Sequence, residues 1–114
     1  MNGLRIIDLE EGRPAADEAV KRLAMEIGQA RRQKCTALKV IHGYGSSGKG
    51  GRIRTECRKY ALAAVERGEL RKCLPGETFS IFEEETRASF ALCPALRQDR
   101  DLDAYNRGVT ILLL

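Results

Sequence analysis

The 114-residue chain has no apolar run approaching the roughly 20 residues that a bilayer-crossing helix needs. Its opening, Met1-Asn2-Gly3-Leu4-Arg5, leads into too short an apolar stretch for a signal peptide, so a cytoplasmic protein is expected. Close cysteine pairs are missing too, because Cys35, Cys57, Cys73 and Cys93 stand 22, 16 and 20 residues apart. A structural zinc site normally shows at least one tight ligand pair. The only histidine, His42, belongs to a glycine-rich stretch. Reduced cysteines acting as small hydrophobes are therefore expected. No internal repeat or low-complexity segment occurs, and the length predicts a single domain over residues 1–114.

Charge, by contrast, is abundant and segregated. Residues 1–30 carry 4 basic and 6 acidic groups, residues 31–72 carry 12 and 3, and residues 73–114 carry 4 and 7. The middle block alone is therefore +9 against a total of +4. It centres on Ile41-His42-Gly43-Tyr44-Gly45-Ser46-Ser47-Gly48-Lys49-Gly50-Gly51-Arg52-Ile53-Arg54, with five glycines and three cations. Glycines let a backbone approach a ligand closely, and a helix that follows offers free N–H groups to an anion. The block argues for an anionic partner.

Two phosphate motifs are nearly complete. Gly43-Tyr44-Gly45-Ser46-Ser47-Gly48 spells the dinucleotide fingerprint, but 114 residues leave no room for a second nucleotide-binding half. Gly43 to Lys49 has the P-loop spacing, yet Gly50 stands where a Ser or Thr should hold magnesium. Neither nucleotide enzyme fits.

Hydrophobic periodicity predicts the order β-α-β-α-β-(insert)-β. Leu4 to Leu9 reads as a strand, and Ala16, Val20, Leu23, Ala24, Ile27 and Ala30 form the stripe of a helix from Pro14 to Gln33. Thr36 to Ile41 is a second strand, parallel to the first. Ile53, Cys57, Tyr60, Ala61, Ala64 and Val65 mark a second helix that Gly68 closes. Leu70 to Leu74 is a third strand, and Val109 to Leu114, almost wholly apolar, belongs at the sheet centre. In between, Phe79, Ile81 and Phe82 are expected to be buried. Glu83 to Leu92 suits a short helix with Phe90 and either Leu92 or Cys93 inward, and Ala95 to Tyr105 reads as surface.

Ligands on open α/β sheets bind beyond the carboxyl ends of the strands, here marked by Asp8 and His42. His42 is suited to phosphate contact or to acid–base work near neutral pH, or else to a plain hydrogen bond with a backbone carbonyl. Asp8 and Glu10 either hold a divalent ion or sit in a turn. Tyr44 either stacks on a base or packs over the strand ends.

At His42-Gly43-Tyr44-Gly45, again at Arg54, and at Gly108-Val109-Thr110-Ile111, the chain resembles the small MutS-related (Smr) domain family. That family has an Asp-Leu-His-Gly motif after its first strand, which stands here as Asp8-Leu9-Glu10-Glu11. The resemblance spans the first strand through the second helix plus the last strand, and treats residues 75–105 as an insertion. It implies a two-layer α/β sandwich like the C-terminal domain of bacterial initiation factor three. It also implies DNA or RNA binding, with Asp8, His42, Gly43, Gly45 and Arg54 as functional positions.

The leading expectation is a nucleic-acid-binding domain. Gly43, Tyr44, Gly45, Ser46, Ser47, Gly48, Lys49, Arg52, Arg54 and Arg58 would contact the nucleic acid. One alternative is an endonuclease with catalytic His42, Asp8 and Glu10, the two carboxylates holding Mg2+. Another is a protein-interaction module using residues 77–105, whose Glu83-Glu84-Glu85 run would face a basic partner.

Overall fold

The computed structural model describes residues 2–45 and 50–114. Strands β1 (Leu4–Asp8), β2 (Ala37–Ile41), β3 (Lys72–Pro75) and β4 (Val109–Leu113) form one mixed sheet in the order β1-β2-β4-β3. β1 and β2 are parallel, with Asp8 opposite Ile41, and β4 runs antiparallel to both of its neighbours. Helices α1 (Ala16–Arg32), α2 (Gly50–Glu66) and α3 (Glu84–Leu92) complete the regular structure with two short 3-10 helices, Gly76–Thr78 and Pro94–Gln98. Among the described residues no helix is long and apolar enough to cross a membrane.

As its composition requires, β4 is central and buried at every position. A strand with one wet face would alternate apolar and polar side chains, and Val109-Thr110-Ile111-Leu112-Leu113 does not. On one face, Leu38, Val40 and Leu112 pack with Leu23, Ile27, Ile53, Cys57 and Ala61 of α1 and α2. On the other, Ala37, Ile111, Leu113 and Leu74 pack with Phe79, Phe90, Cys93 and Leu96. The expected two layers are thus three, because the insert between β3 and β4 covers the second face.

Two details of the insert differ from expectation, and a third decides between the alternatives left open for its helix. Phe79 is buried, but Ile81 and Phe82 are exposed. In α3, Phe90 turns inward and Leu92 is exposed, with the following Cys93 buried in its place. The stretch from Ala95 to Tyr105 is not simply surface: Leu96 is fully buried, and Asp101 lies inside with Asp99. The cause is Lys39 in β2, whose chain points toward the insert and is only 2% exposed. Its Nζ bonds both oxygens of Asp99 at 2.9 and 3.0 Å and pairs with Asp101 Oδ2. A buried ammonium must be paired, and polar residues of the insert are drawn in to do it. Burial pushes the Asp101 carboxyl up. Hydrogen bonds from Asn106 and Lys39, with the nearby charges of Lys39 and Arg100, outweigh it and hold that carboxyl below its ordinary range.

Candidate functional site

Parallel pairing of β1 and β2 brings their carboxyl ends to one sheet edge, and Leu9 N–H donates to the Ile41 carbonyl there. Asp8, Glu10, His42 and the start of the glycine loop are gathered as the sequence suggests. Gly43 and Gly45 have φ of 72° and 91°, a region that penalises any Cβ. A side chain at Gly43 would also collide with the Glu10 carboxylate, which lies against it. Ser46, Ser47, Gly48 and Lys49 fall outside the described residues.

Gly43-Tyr44-Gly45 is clasped from two sides. The N–H groups of His42 and Gly43 both donate to the Gly108 carbonyl, and a Cβ on Gly108 would lie 3.4 Å from both Gly43 Cα and Tyr44 Cδ1. On the other side, a Cβ on Gly51 would stand 3.9 Å from Gly45 Cα. The turn before β4 and the first turn of α2 therefore flank Tyr44, and each carries a cation. Arg107 places its guanidinium 5.1 Å from the Tyr44 ring centroid, while Arg52 follows Gly51 and is exposed. Tyr44 is half exposed, at 52%.

His42 is placed differently from the acid–base role considered for it. It is 0% exposed, and both ring nitrogens are engaged. Nδ1 lies 2.6 Å from the Gly43 carbonyl, which can only accept, so Nδ1 carries the proton. Nε2 then accepts from Thr110 Oγ1 at 2.8 Å, and that oxygen accepts in turn from Arg58 Nε at 3.0 Å. Burial, aided by the charges of Arg58 and Arg54, lowers the imidazole pKa to about 4 against the opposing Gly43 bond and Glu77 charge. A neutral, enclosed ring with two partners holds the loop to β4. It offers no nitrogen to a substrate in this conformation.

Arg54 and Arg58 are likewise committed inward rather than held out for phosphate. Arg58 grips Glu77 with two nitrogens, at 2.9 and 2.6 Å, and donates to the Val109 carbonyl. Arg54 reaches the same carboxylate at 2.7 Å, and its Nε is buried without a partner among the described residues. Hydrogen bonding from Arg58 leads the effects that take the Glu77 carboxyl down to about 2. Arg54 adds to it, and partial burial opposes both. Much of the sequence's charge segregation is thus cancelled within the fold. The acidic last third returns onto the basic middle through Lys39–Asp99, Lys39–Asp101, Arg54–Glu77, Arg58–Glu77 and Lys72–Glu85. Neighbours 54 and 58 share a helix face, but nothing local marks Glu77 as their partner.

The proposed metal pair is not assembled as one. Asp8 Oδ1 accepts the Glu10 N–H at 2.8 Å, an ordinary turn contact, and both residues are exposed. Among the described residues no group of three or more His, Cys, Asp or Glu side chains is arranged to hold a metal ion. Burial raises the Cys57 and Cys73 thiols to about 11, so neither is a nucleophile at neutral pH.

The chain matches no protein-family model, no curated protein and no solved structure. Arg107 and Thr110 are the residues that sequence reasoning left out of the site. Thr110 had a signal, being the only hydroxyl in an otherwise apolar strand; Arg107 had none beyond its place in the last turn.

Proposed function

We propose that the protein is an Smr-like domain that binds nucleic acid at the corner formed by Tyr44, Arg52 and Arg107. The observation that carries this is the clasped Gly43-Tyr44-Gly45 segment, which presents a half-exposed tyrosine between two cation-bearing turns. Aromatic stacking with flanking guanidinium groups is how proteins hold unpaired bases without reading sequence. The Smr resemblance supports the reading at one further point. Two of its motif elements, the His42 loop and the Thr110 strand, are joined by a direct hydrogen bond.

Within this reading, His42, Arg58 and Glu77 are positioning groups that fix the loop from behind, while Arg52 and Arg107 meet phosphates. Glu10 lies against Gly43 and repels phosphate there. The test is a fluorescence-anisotropy titration of a labelled single-stranded oligonucleotide. Tyr44→Ala is expected to weaken binding by ~1–3 kcal/mol, the worth of one stacked base. Wild-type affinity in both Tyr44→Ala and Arg107→Gln would remove the site.

A further inference from the structure

Tyr105 is 65% exposed, and among the described residues its side chain takes part in no hydrogen bond or ring contact. Its backbone has a φ of 53°, in the left-handed region that a bulky aromatic residue seldom adopts. Such strain persists only where the surroundings impose it, and it clusters at ligand-binding positions. The surroundings do impose it here. Asp103 N–H donates to the Phe79 carbonyl at 2.9 Å, and Ala104 N–H donates to the Asp101 carbonyl at 3.2 Å. Asn106 Nδ2 donates to Asp101 Oδ1, while Asn106 Oδ1 accepts the Gly108 N–H at 2.8 Å. Asp101 is itself anchored by the buried Lys39. A bare ring is thus carried on a fixed backbone, which leaves a ligand little to order.

The same turn reaches Tyr44. A Cβ on Gly108 would lie 3.1 Å from Asn106 Oδ1 and 3.4 Å from Tyr44 Cδ1. From Asn106 Oδ1 back to the Tyr105 Cα is one side chain and one peptide, so that Cα lies within ~14 Å of the Tyr44 ring. Arg107 stands between Tyr105 and Gly108 in the chain, with its guanidinium 5.1 Å from the Tyr44 centroid. Of the acids in this turn, Asp99 and Asp101 are neutralised inward by Lys39. That leaves the exposed cations Arg100 and Arg107 to outnumber Asp103.

We infer that Tyr105 is a second stacking platform of the same corner, whose ligand is an unpaired strand with one base on each tyrosine. Arg107 meets a phosphate between the two bases. This rests on the nucleic-acid reading and narrows it to a class of substrate. In a duplex the base faces are already stacked on one another, so a duplex serves neither ring. A mononucleotide serves only one.

The test is displacement of a labelled oligothymidylate of ~8 nucleotides, followed by fluorescence anisotropy, with thermal melts as folding controls. The competitors are thymidine monophosphate, the unlabelled oligomer and a duplex of the same length. The wild type is expected to prefer the oligomer to both others. Tyr105→Gly suits the left-handed backbone, so its melt should hold or rise, yet its affinity for the oligomer should drop ~5-fold or more. Tyr105→Phe keeps the ring and should stay within ~2-fold of the wild type. Unchanged oligomer affinity in Tyr105→Gly, with Tyr44→Ala weakened, would overturn this inference and leave the corner standing. Unchanged affinity in both Tyr44→Ala and Arg107→Gln would remove the corner and the second ring with it. A loss in Tyr105→Phe as large as in Tyr105→Gly, or a duplex bound as tightly as the single strand, would also overturn the stacking role.

Discussion

Replacing Lys39 by Met keeps the length of the side chain and removes its charge. What it leaves behind decides the cost. The Asp99 and Asp101 side chains are only 5% and 10% exposed, so neither carboxylate can recover much hydration when its ammonium is gone. Removing one partner from a buried pair typically costs ~3–5 kcal/mol, and here one cation serves two anions. At a urea slope of ~2 kcal/mol per molar, the unfolding midpoint should fall by roughly 1.5–2.5 M at pH 7. The pH dependence gives the mechanism away. In the wild type Asp101 has a folded pKa below its unfolded value, so its contribution is present above the unfolded pKa and lost as pH falls through the folded one. In the variant the Asp101 carboxyl loses the ammonium that helps hold it down, so burial should push it up and its protonation should relieve part of the cost as pH falls. The difference between the two proteins should therefore shrink between pH 7 and pH 4. Lys39→Met with Asp99→Asn and Asp101→Asn should regain most of the loss. A difference under ~1 kcal/mol at pH 7, in the range of an exposed pair, would refute the account of how the insert is pinned.

His42 is the only histidine, so a proton NMR titration shows one imidazole. It should titrate near 4 rather than 6.5, with stability present above about 6.5 and lost as pH falls through about 4; a midpoint near 6.5 would mean a solvated ring. Gly76→Ala should destabilise the fold by ~1–3 kcal/mol or more in a urea melt. Its Cβ would run into the Asn106 carbonyl and stand 2.7 Å from Val109 Cγ2. Glu77→Gln should cost ~1.5–3 kcal/mol at pH 7, because Arg58 and Arg54 lose a shared anion. Glu10→Gln should strengthen oligonucleotide binding a few-fold, roughly 0.5–1 kcal/mol, because it removes the anion that lies against Gly43 beside Tyr44.

The helices and the central strand were legible because each carries a periodic signal that packing reinforces. Of the expected stripe of α1, Leu23, Ile27 and Ala30 are buried, joined by Ala19 rather than Ala24, and the nearly unbroken apolar run after Gly108 had to be covered on both faces. The insert was less legible. Ile81 and Phe82 are as apolar as Phe79, and no local pattern says which of the three a remote segment covers. Asp99 and Asp101 read as solvated carboxylates, since their burial depends on Lys39 sixty residues away. Topology gathers Asp8, Glu10 and His42 at one sheet edge, as the parallel pairing of the first two strands led one to expect, but the side-chain partners there were not legible. The basic run looked uniformly available, whereas Glu77 withdraws Arg54 and Arg58 and Thr110 encloses His42. Long-range pairing of this kind leaves no periodic trace in a sequence.

The most direct measurement is the affinity of the wild-type protein for a single-stranded oligonucleotide across a salt series. With Arg52 and Arg107 as the phosphate contacts, log K should fall against log salt with a slope of roughly −1.4, the value for two phosphates on a single strand. Saturable binding with that slope, weakened by Tyr44→Ala, is the predicted result. Absence of binding at ~20 mM salt, or binding indifferent to both salt and Tyr44, would contradict the account.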